Sequence, residues 1–178
     1  MRPPIEHFRH CPACGRTLPP PSQPNAVHCS DCGFLYFISL TVAVGVIIAR
    51  PDGVVLFVRR GKEPEKGKLA LPGGFIEMGE TAEISLRREV IEEVGLHIGP
   101  LEYLCSEVNA YDFCSITYPV LDLFFVAQVG QTADPKALDD VAEVCWLDPA
   151  RVAPAEIAFP SVRAAVRLYS ARITPLEA

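Results

Sequence analysis

No stretch of this chain is apolar for long enough to cross a membrane as a helix, which excludes a helix-spanning protein. Positive charge is also scarce: 16 Lys and Arg stand against 22 Asp and Glu, for a net charge of −6. That balance excludes a general nucleic-acid or membrane-surface binder, though not a protein that takes a single nucleotide or one capped RNA end. There is no internal repeat, so a repeat array is excluded. Residues 1–10 hold two prolines and several charges but no apolar stretch, so no secretory leader is expected and the chain reads as cytoplasmic. Disulfides are not expected in that compartment. No motif pairs Cys105, Cys114 or Cys145 with a histidine, which argues against a catalytic thiol; all three are expected to be buried small hydrophobes on strands.

What the chain does have is concentrated in Gly74 to Leu96, GFIEMGETAEISLRREVIEEVGL. Pro72 with Gly73, Gly74 and Gly79 marks a loop, Thr81 suits an N-cap, and Gly95 suits a left-handed C-cap, so a helix is expected between Thr81 and Gly95. At about 100° per residue, Glu89, Glu92 and Glu93 share one arc of the helix surface, and Leu86, Val90, Ile91 and Val94 lie on a side that can face a core. Glu89 and Glu93 repel at i,i+4, and Arg88, four residues before Glu92, can offset part of that repulsion. A solvated acidic face would explain an isolated glutamate cluster. It would not explain the glycine loop, Glu80 and the adjacent arginine together. A divalent cation would, because hard carboxylate oxygens suit Mg²⁺ or Mn²⁺ bridged to a phosphate.

The second feature is a pair of C-x2-C-G units, Cys11-Pro-Ala-Cys14-Gly and Cys29-Ser-Asp-Cys32-Gly. Two disulfides or a redox pair are competing readings, but the spacing suits a four-cysteine Zn²⁺ site, with His10 and His28 as alternative ligands. So short a segment, carrying Pro19-Pro20-Pro21, buries too little apolar surface to fold without such a staple. Through residue 40, Arg2, Arg9 and Arg16 outnumber Glu6 and Asp31 by only one, too little for a phosphate-backbone footprint. The segment therefore reads as a packing or dimerisation scaffold, which allows a homodimer.

Strands are expected at Thr41–Ala49 and Val54–Arg60 around a Pro51-Asp52-Gly53 turn, at Leu101–Val108 and Val120–Val129, and at Glu143–Leu147. A helix is expected at Pro160–Ala171, with Val162, Val166 and Tyr169 on one side. Tyr103, Tyr111, Phe113 and Tyr118 are read as core residues, although each could stack on a base. The order fits an α+β fold with one mixed sheet flanked by helices.

Gly74 to Leu96 resembles the signature of the Nudix hydrolases, G-x5-E-x7-R-E-U-x-E-E-x-G-U, at Gly74, Glu80, Arg88, Glu89, Val90, Glu92, Glu93, Gly95 and Leu96. The resemblance implies an α/β/α sandwich with a mixed β-sheet. It also implies metal-dependent hydrolysis of a nucleoside diphosphate linked to another moiety. In such an enzyme Glu89, Glu92 and Glu93 ligate Mg²⁺ or Mn²⁺, with Glu89 a candidate base. Arg88 orients the acids, Glu80 anchors loop to helix, and Gly73 and Gly74 shape the loop. Arg59 and Arg60, with Lys62, Lys66 and Lys68, could meet substrate phosphates. Glu143 or Asp140, before Trp146, is a candidate additional ligand or base. The architecture is then a small zinc ribbon (residues 1–38; Cys11, Cys14, Cys29 and Cys32) ahead of a catalytic domain (residues 39–178).

A zinc ribbon ahead of such a domain resembles the NADH pyrophosphatases. Their SQPWPFP-like segment is absent here, where the chain reads LEYLCSEVNAYDFCSITYPVLDL. Pro119 also lies several residues beyond the offset of the proline in ADP-ribose hydrolases. The ribbon resemblance is architectural and the box resemblance catalytic. A non-catalytic ligand sensor or interaction module, with the ribbon as its partner contact, is the alternative; such modules tend to lose the box acids, which this chain keeps.

Overall fold

The computed structural model describes residues 2–173. These divide into two compact units, residues 2–41 with 110–120, and residues 42–109 with 121–173.

In the larger unit, β3 (Thr41–Ala49) turns at Pro51–Gly53 into β4 (Val55–Arg60). Gly53 takes a positive φ of 85° there, and its N–H donates to the Arg50 carbonyl. The sheet runs in the order β5 (Leu69–Ala70), β4, β3, β7 (Ile116–Gln128), β6 (Glu102–Phe113), and β8 (Val141–Leu147) pairs antiparallel with β4. The N–H of Val129 donates to Ala49 where β7 and β3 both end, so these strands run parallel in an otherwise antiparallel sheet. Strand β3 is apolar from Val42 onward, and buried from Val44, because both of its faces are covered there. Val44, Val46 and Ile48 pack with Leu86, Val90 and Val94 of α1 (Ala82–Val94). Ile47 and Ala49 pack with Val162, Ala165, Val166 and Tyr169 of α2 (Pro160–Ile173). The mixed sheet thus lies between two helices. Among the described residues no helix is long and apolar enough to cross a membrane.

In the smaller unit, β1 (Ala26–His28) pairs antiparallel with β2 (Leu35–Phe37), and Ile5, Ala26, Val27, Cys11 and Cys29 are buried. Residues 110–120, the far end of the β6–β7 hairpin, belong to this unit: Arg2 bridges Ile116, and the Thr117 N–H donates to the Arg2 carbonyl at 3.1 Å.

The structure corrects several expectations. The strands predicted to stop at Val108 and start at Val120 run on to a two-residue turn at Cys114–Ser115. Both turn residues have positive φ (48° and 66°), the conformation that suits a tight hairpin but is usually announced by Asn or Gly. Cys114 is consequently exposed, while Cys105 and Cys145 are half-buried against the core. Tyr103 and Phe113 are about half exposed on the hairpin and are not core residues. Ile91 is 43% exposed, because the stripe of α1 that meets the sheet is Leu86, Val90 and Val94, and Ile91 lies one step around the helix from it.

This division of α1 has a measurable consequence. Leu86→Ala is expected to cost about 2–5 kcal/mol in denaturant unfolding, whereas Ile91→Ala stays within about 0.5 kcal/mol of the parent.

Candidate functional site

The loop before α1 lies along β3. Val46, Val44 and Ile76 N–H groups donate to Pro72, Gly74 and Val42 carbonyls at 2.9–3.1 Å. Gly73 has a φ of 145°, and a Cβ there would sit 2.1 Å from the Val44 carbonyl oxygen, so only glycine fits. A Cβ on Gly74 would meet the Glu89 carboxyl carbon at 2.5 Å. The loop backbone therefore lies directly against the acids of the helix.

Helix α1 starts where Thr81 Oγ1 accepts from the Ile84 N–H at 3.3 Å, and it ends on Gly95 in the left-handed region. Within it, Arg88 is the hub. Its Nε and Nη2 donate to the two Glu80 oxygens at 2.8 and 2.9 Å, and its Nη1 donates to Glu89 at 2.9 Å and Glu92 at 3.0 Å. Nη2 also approaches the Phe75 carbonyl and the Ser85 hydroxyl, both at 3.3 Å. Glu80 in turn accepts from the Glu77 N–H at 3.0 Å, and the Arg88 guanidinium with that N–H holds its carboxyl down to about 2. Ser85, fully buried, donates to the Phe75 carbonyl at 3.4 Å. It is a loop-to-helix tie that sequence reading missed, since a serine inside a helix carries no periodic signal.

Glu93 is held differently. One of its oxygens accepts from the Gly73 N–H at 2.9 Å, and burial pushes its carboxyl up to about 8 against that hydrogen bond. Burial also raises Glu89, with Arg88 opposing. Among the described residues no lysine or arginine lies within salt-bridge distance of Glu93; Arg60 acts on it only as a more distant charge. The three acids thus lie on one helix face beside the loop. All are hard oxygen donors of the kind that hold Mg²⁺ or Mn²⁺.

Of the other predicted cations, Arg59, Lys62 and Lys68 are each paired with an acid, and Arg60 is held by a carbonyl and a ring. Arg59 Nε donates to Glu143 at 2.8 Å, and its Nη1 donates to the Gly67 carbonyl at 2.8 Å. Glu143, opposite Arg59 in the β4–β8 register, is drawn below its usual carboxylate range by this partner. Arg60 donates to the Pro64 carbonyl at 2.7 Å and lies 4.9 Å from the Phe159 ring centre. Lys62 pairs with Asp140, and Lys68 with Glu65.

In the smaller unit the two C-x2-C-G segments repeat one geometry. Gly15 and Gly33, both with φ 75°, donate to the Cys11 and Cys29 carbonyls at 2.9 Å. The sulfurs of Cys11, Cys14, Cys29 and Cys32 all lie within 4.8 Å of one another, with Cys11–Cys32 at 3.6 Å and Cys14–Cys29 at 3.8 Å. A disulfide needs about 2.05 Å. Tetrahedral zinc with Zn–S bonds of about 2.3 Å spaces its sulfurs by about 3.8 Å, so the cluster could hold that ion.

The family model for the NUDIX domain matches residues 39–168. The chain belongs to the NUDIX family. NUDIX hydrolases as a group use divalent cations such as Mg²⁺ or Mn²⁺. A Pseudomonas aeruginosa protein named NAD-capped RNA hydrolase NudC is 33% identical over 101 residues, 57% of this chain and 36% of that protein. The protein of that name from Stutzerimonas stutzeri is 30% identical over 103 residues, 58% of this chain and 37% of the relative. The chain spans little more than a third of the length of these curated relatives. Among solved structures, a NUDIX hydrolase from Nitrosomonas europaea matches with a TM-score of 0.68 at 24% identity, over 93% of this chain and 92% of that one. The NUDIX domain of Shewanella oneidensis NrtR, solved with ADP ribose, matches with a TM-score of 0.65 at 22% identity, over 78% and 91% of the two chains. These two likenesses establish the NUDIX fold.

The raised Glu93 carboxyl gives a signed prediction. Its proton is held more tightly in the folded state, so its contribution to stability is full below the ordinary carboxylate value of about 4.5 and is lost as pH rises towards about 8. In chelator at pH 8.5–9, Glu93→Gln should therefore melt higher than the parent by roughly 5–10 °C, and the gap should close near pH 5. Scanning calorimetry across this range checks the sign.

Proposed function

We propose that the chain is a metal-dependent pyrophosphohydrolase acting on a nucleoside diphosphate linked to another moiety. The observation that carries this reading is the pairing of an arginine-organised carboxylate set with a half-buried Glu93 that has no cationic partner in salt-bridge range among the described residues. Burying an ionised carboxylate unpaired is costly, and a cation at this position would remove the cost. The all-oxygen donor set fits Mg²⁺ or Mn²⁺ on Glu89, Glu92 and Glu93, and the ion bound there would neutralise phosphate oxygens and acidify a water. Glu89, with its raised affinity for protons, accepts the proton of the attacking water. Arg88 and Glu80 fix the acids relative to the loop, and Gly73 and Gly74 let the loop backbone approach them. Arg59 and Arg60 are the cations assigned to substrate phosphates, and Glu143 releases Arg59 when one binds. Residues 39–178 form the catalytic domain, and residues 1–38 a zinc ribbon stapled through Cys11, Cys14, Cys29 and Cys32.

A product assay with Mg²⁺ or Mn²⁺ over NADH, NAD⁺, ADP-ribose, FAD, diadenosine polyphosphates, nucleotide sugars and nucleoside triphosphates tests the reading. The NAD-type compounds earn their place through the curated relatives' name. At least one compound should be cleaved, and Glu93→Gln should lower kcat/KM for it by at least about 10²-fold. An undiminished rate at saturating Mg²⁺ would remove the metal assignment. If nothing is cleaved yet a nucleotide raises the melting temperature, the box serves recognition and the chain is a sensor.

For the ribbon, Cys14→Ser should lose bound zinc and melt lower, with the turnover per folded molecule near that of the parent. Equal zinc content and equal melting would overturn the assignment.

A further inference from the structure

Strand β2 carries large apolar side chains on both faces, and about half of their surface is left open. Leu35, Tyr36 and Phe37 are 52, 51 and 57% exposed, and Leu40, just beyond the strand, is 45% exposed. Tyr36 lies opposite Val27 of β1, and Phe37 opposite Ala26. Opposed residues share a sheet face, so Leu35 and Phe37 stand on one face and Tyr36 on the other. The Tyr36 ring is fixed in place, 6.5 Å from Phe34 and nearly parallel to it at 13°, and 6.4 Å from Phe8. At about 200 Å² for a free side chain of this size, the four leave roughly 400 Å² of apolar surface in water, a patch of the size that marks a contact surface.

The backbone of β2 is also only half used. The Cys29 N–H donates to the Phe34 carbonyl at 2.9 Å, and the Ile38 N–H donates to the Asn25 carbonyl at 2.8 Å. Residues that exchange such bonds alternate along an antiparallel pair, so Phe34, Tyr36 and Ile38 turn their polar groups towards β1. Leu35 and Phe37 turn theirs away. The sheet consists of β1 and β2, so among the described residues no strand meets those two N–H and two C=O groups. Natural edges are blunted by lysine, proline or a bulge. From Phe34 to Ile38 there is no charge and no proline, and the register with β1 is unbroken.

We propose that β2 is the contact between two copies of this chain, paired antiparallel about a two-fold axis at Tyr36. Leu35 then lies opposite the partner's Phe37, and Phe37 opposite the partner's Leu35. Each of these pairs exchanges two hydrogen bonds, so every outward group of β2 is satisfied, and Tyr36 meets the partner's Tyr36 between them. A slip of one residue would set outward groups against inward ones. Two short strands, marginal by themselves, become four. Charge favours a second copy as the occupant: outside the four cysteines, the smaller unit balances Arg2, Arg9 and Arg16 against Glu6, Asp31 and Asp112. The chain's net charge of −6 therefore resides in the larger unit, and two copies approach through the smaller one with the least repulsion. The two patches amount to roughly 800 Å². Ile38 and Leu40 also line an apolar cleft of about 470 Å³ with Pro3, Pro4 and Ile5, which extends the contact towards the about 1,200 Å² at the lower end of specific interfaces. This inference rests on the fold of the smaller unit and is independent of the hydrolase reading.

Sedimentation velocity of the full chain, supplied with zinc, tests it over about 1–200 µM. The parent should pass from monomer to dimer within that range, as suits a contact near the lower size limit, and should stop there because a two-fold contact closes. Tyr36→Glu and Tyr36→Lys each set like charges opposite one another and should raise the dissociation constant at least about 10-fold. An equal mixture of the two should dimerise again, which variants that had merely unfolded would not do. Should either fail to hold zinc or to melt cooperatively, Leu35→Lys and Phe37→Glu replace them: each alone should weaken the dimer, and the double variant, with opposite charges facing across the axis, should recover it. A dimer that these substitutions leave unchanged, or assembly that continues past two copies, overturns the proposal. A parent that stays monomeric at the highest concentration overturns it too, and assigns the patch to a different protein.

Discussion

One guanidinium organises the site. Arg88 binds Glu80 through two hydrogen bonds and reaches Glu89 and Glu92 through a third nitrogen, so a single cation gathers three carboxylates from a loop end and two helical turns. The flat, five-donor fork of arginine is what allows this, and lysine could not reproduce it. The arrangement leaves negative charge uncompensated, because one positive group faces three acids and Glu93 adds a fourth. An excess of this sign is what a divalent cation, if bound there, would offset. The position of the loop follows from the same contacts, since Arg88 and Ser85 both hold the Phe75 carbonyl.

Packing and chemistry are divided by the faces of α1 and the sheet. Leu86, Val90 and Val94 secure the helix to the sheet, which frees the opposite arc for charge. Glu93, half-buried beside the loop, and Asp122, buried on the other face of the sheet, lie where apolar side chains would stabilise more, and loss of solvent pushes both carboxyls towards the protonated form. Such placements weaken a fold unless a ligand completes them, the usual relation between a functional site and the scaffold that bears it.

How much of this was legible in the sequence depends on the signal each part carries. Strand β3 and helix α1 were readable nearly to the residue, because an unbroken apolar run and a Thr-to-Gly cap pair leave few alternatives. That the acids share one arc of the helix could be inferred from helical spacing alone. Their partner atoms could not: the Gly73 N–H on Glu93 and the Glu143 carboxylate on Arg59 come from segments far apart in the chain. The hairpin end was missed because Cys114 and Ser115 adopt positive φ without the residues that normally advertise it. Two-residue β5 and the short β1 and β2 are below the length at which alternation has statistical weight.

The hairpin end also bears on the order of events during synthesis. The smaller unit is assembled from two stretches of chain, and the bridge between Arg2 and Ile116 cannot close until residue 116 has left the ribosome. The cysteine set, by contrast, is complete once residue 32 has emerged. At about 5–20 residues per second, the nascent amino-terminal segment waits several seconds between these two moments, a long interval on the scale of local folding. An ion held by the four cysteines from the start of that interval would tie the early segment together before residues 110–120 are made.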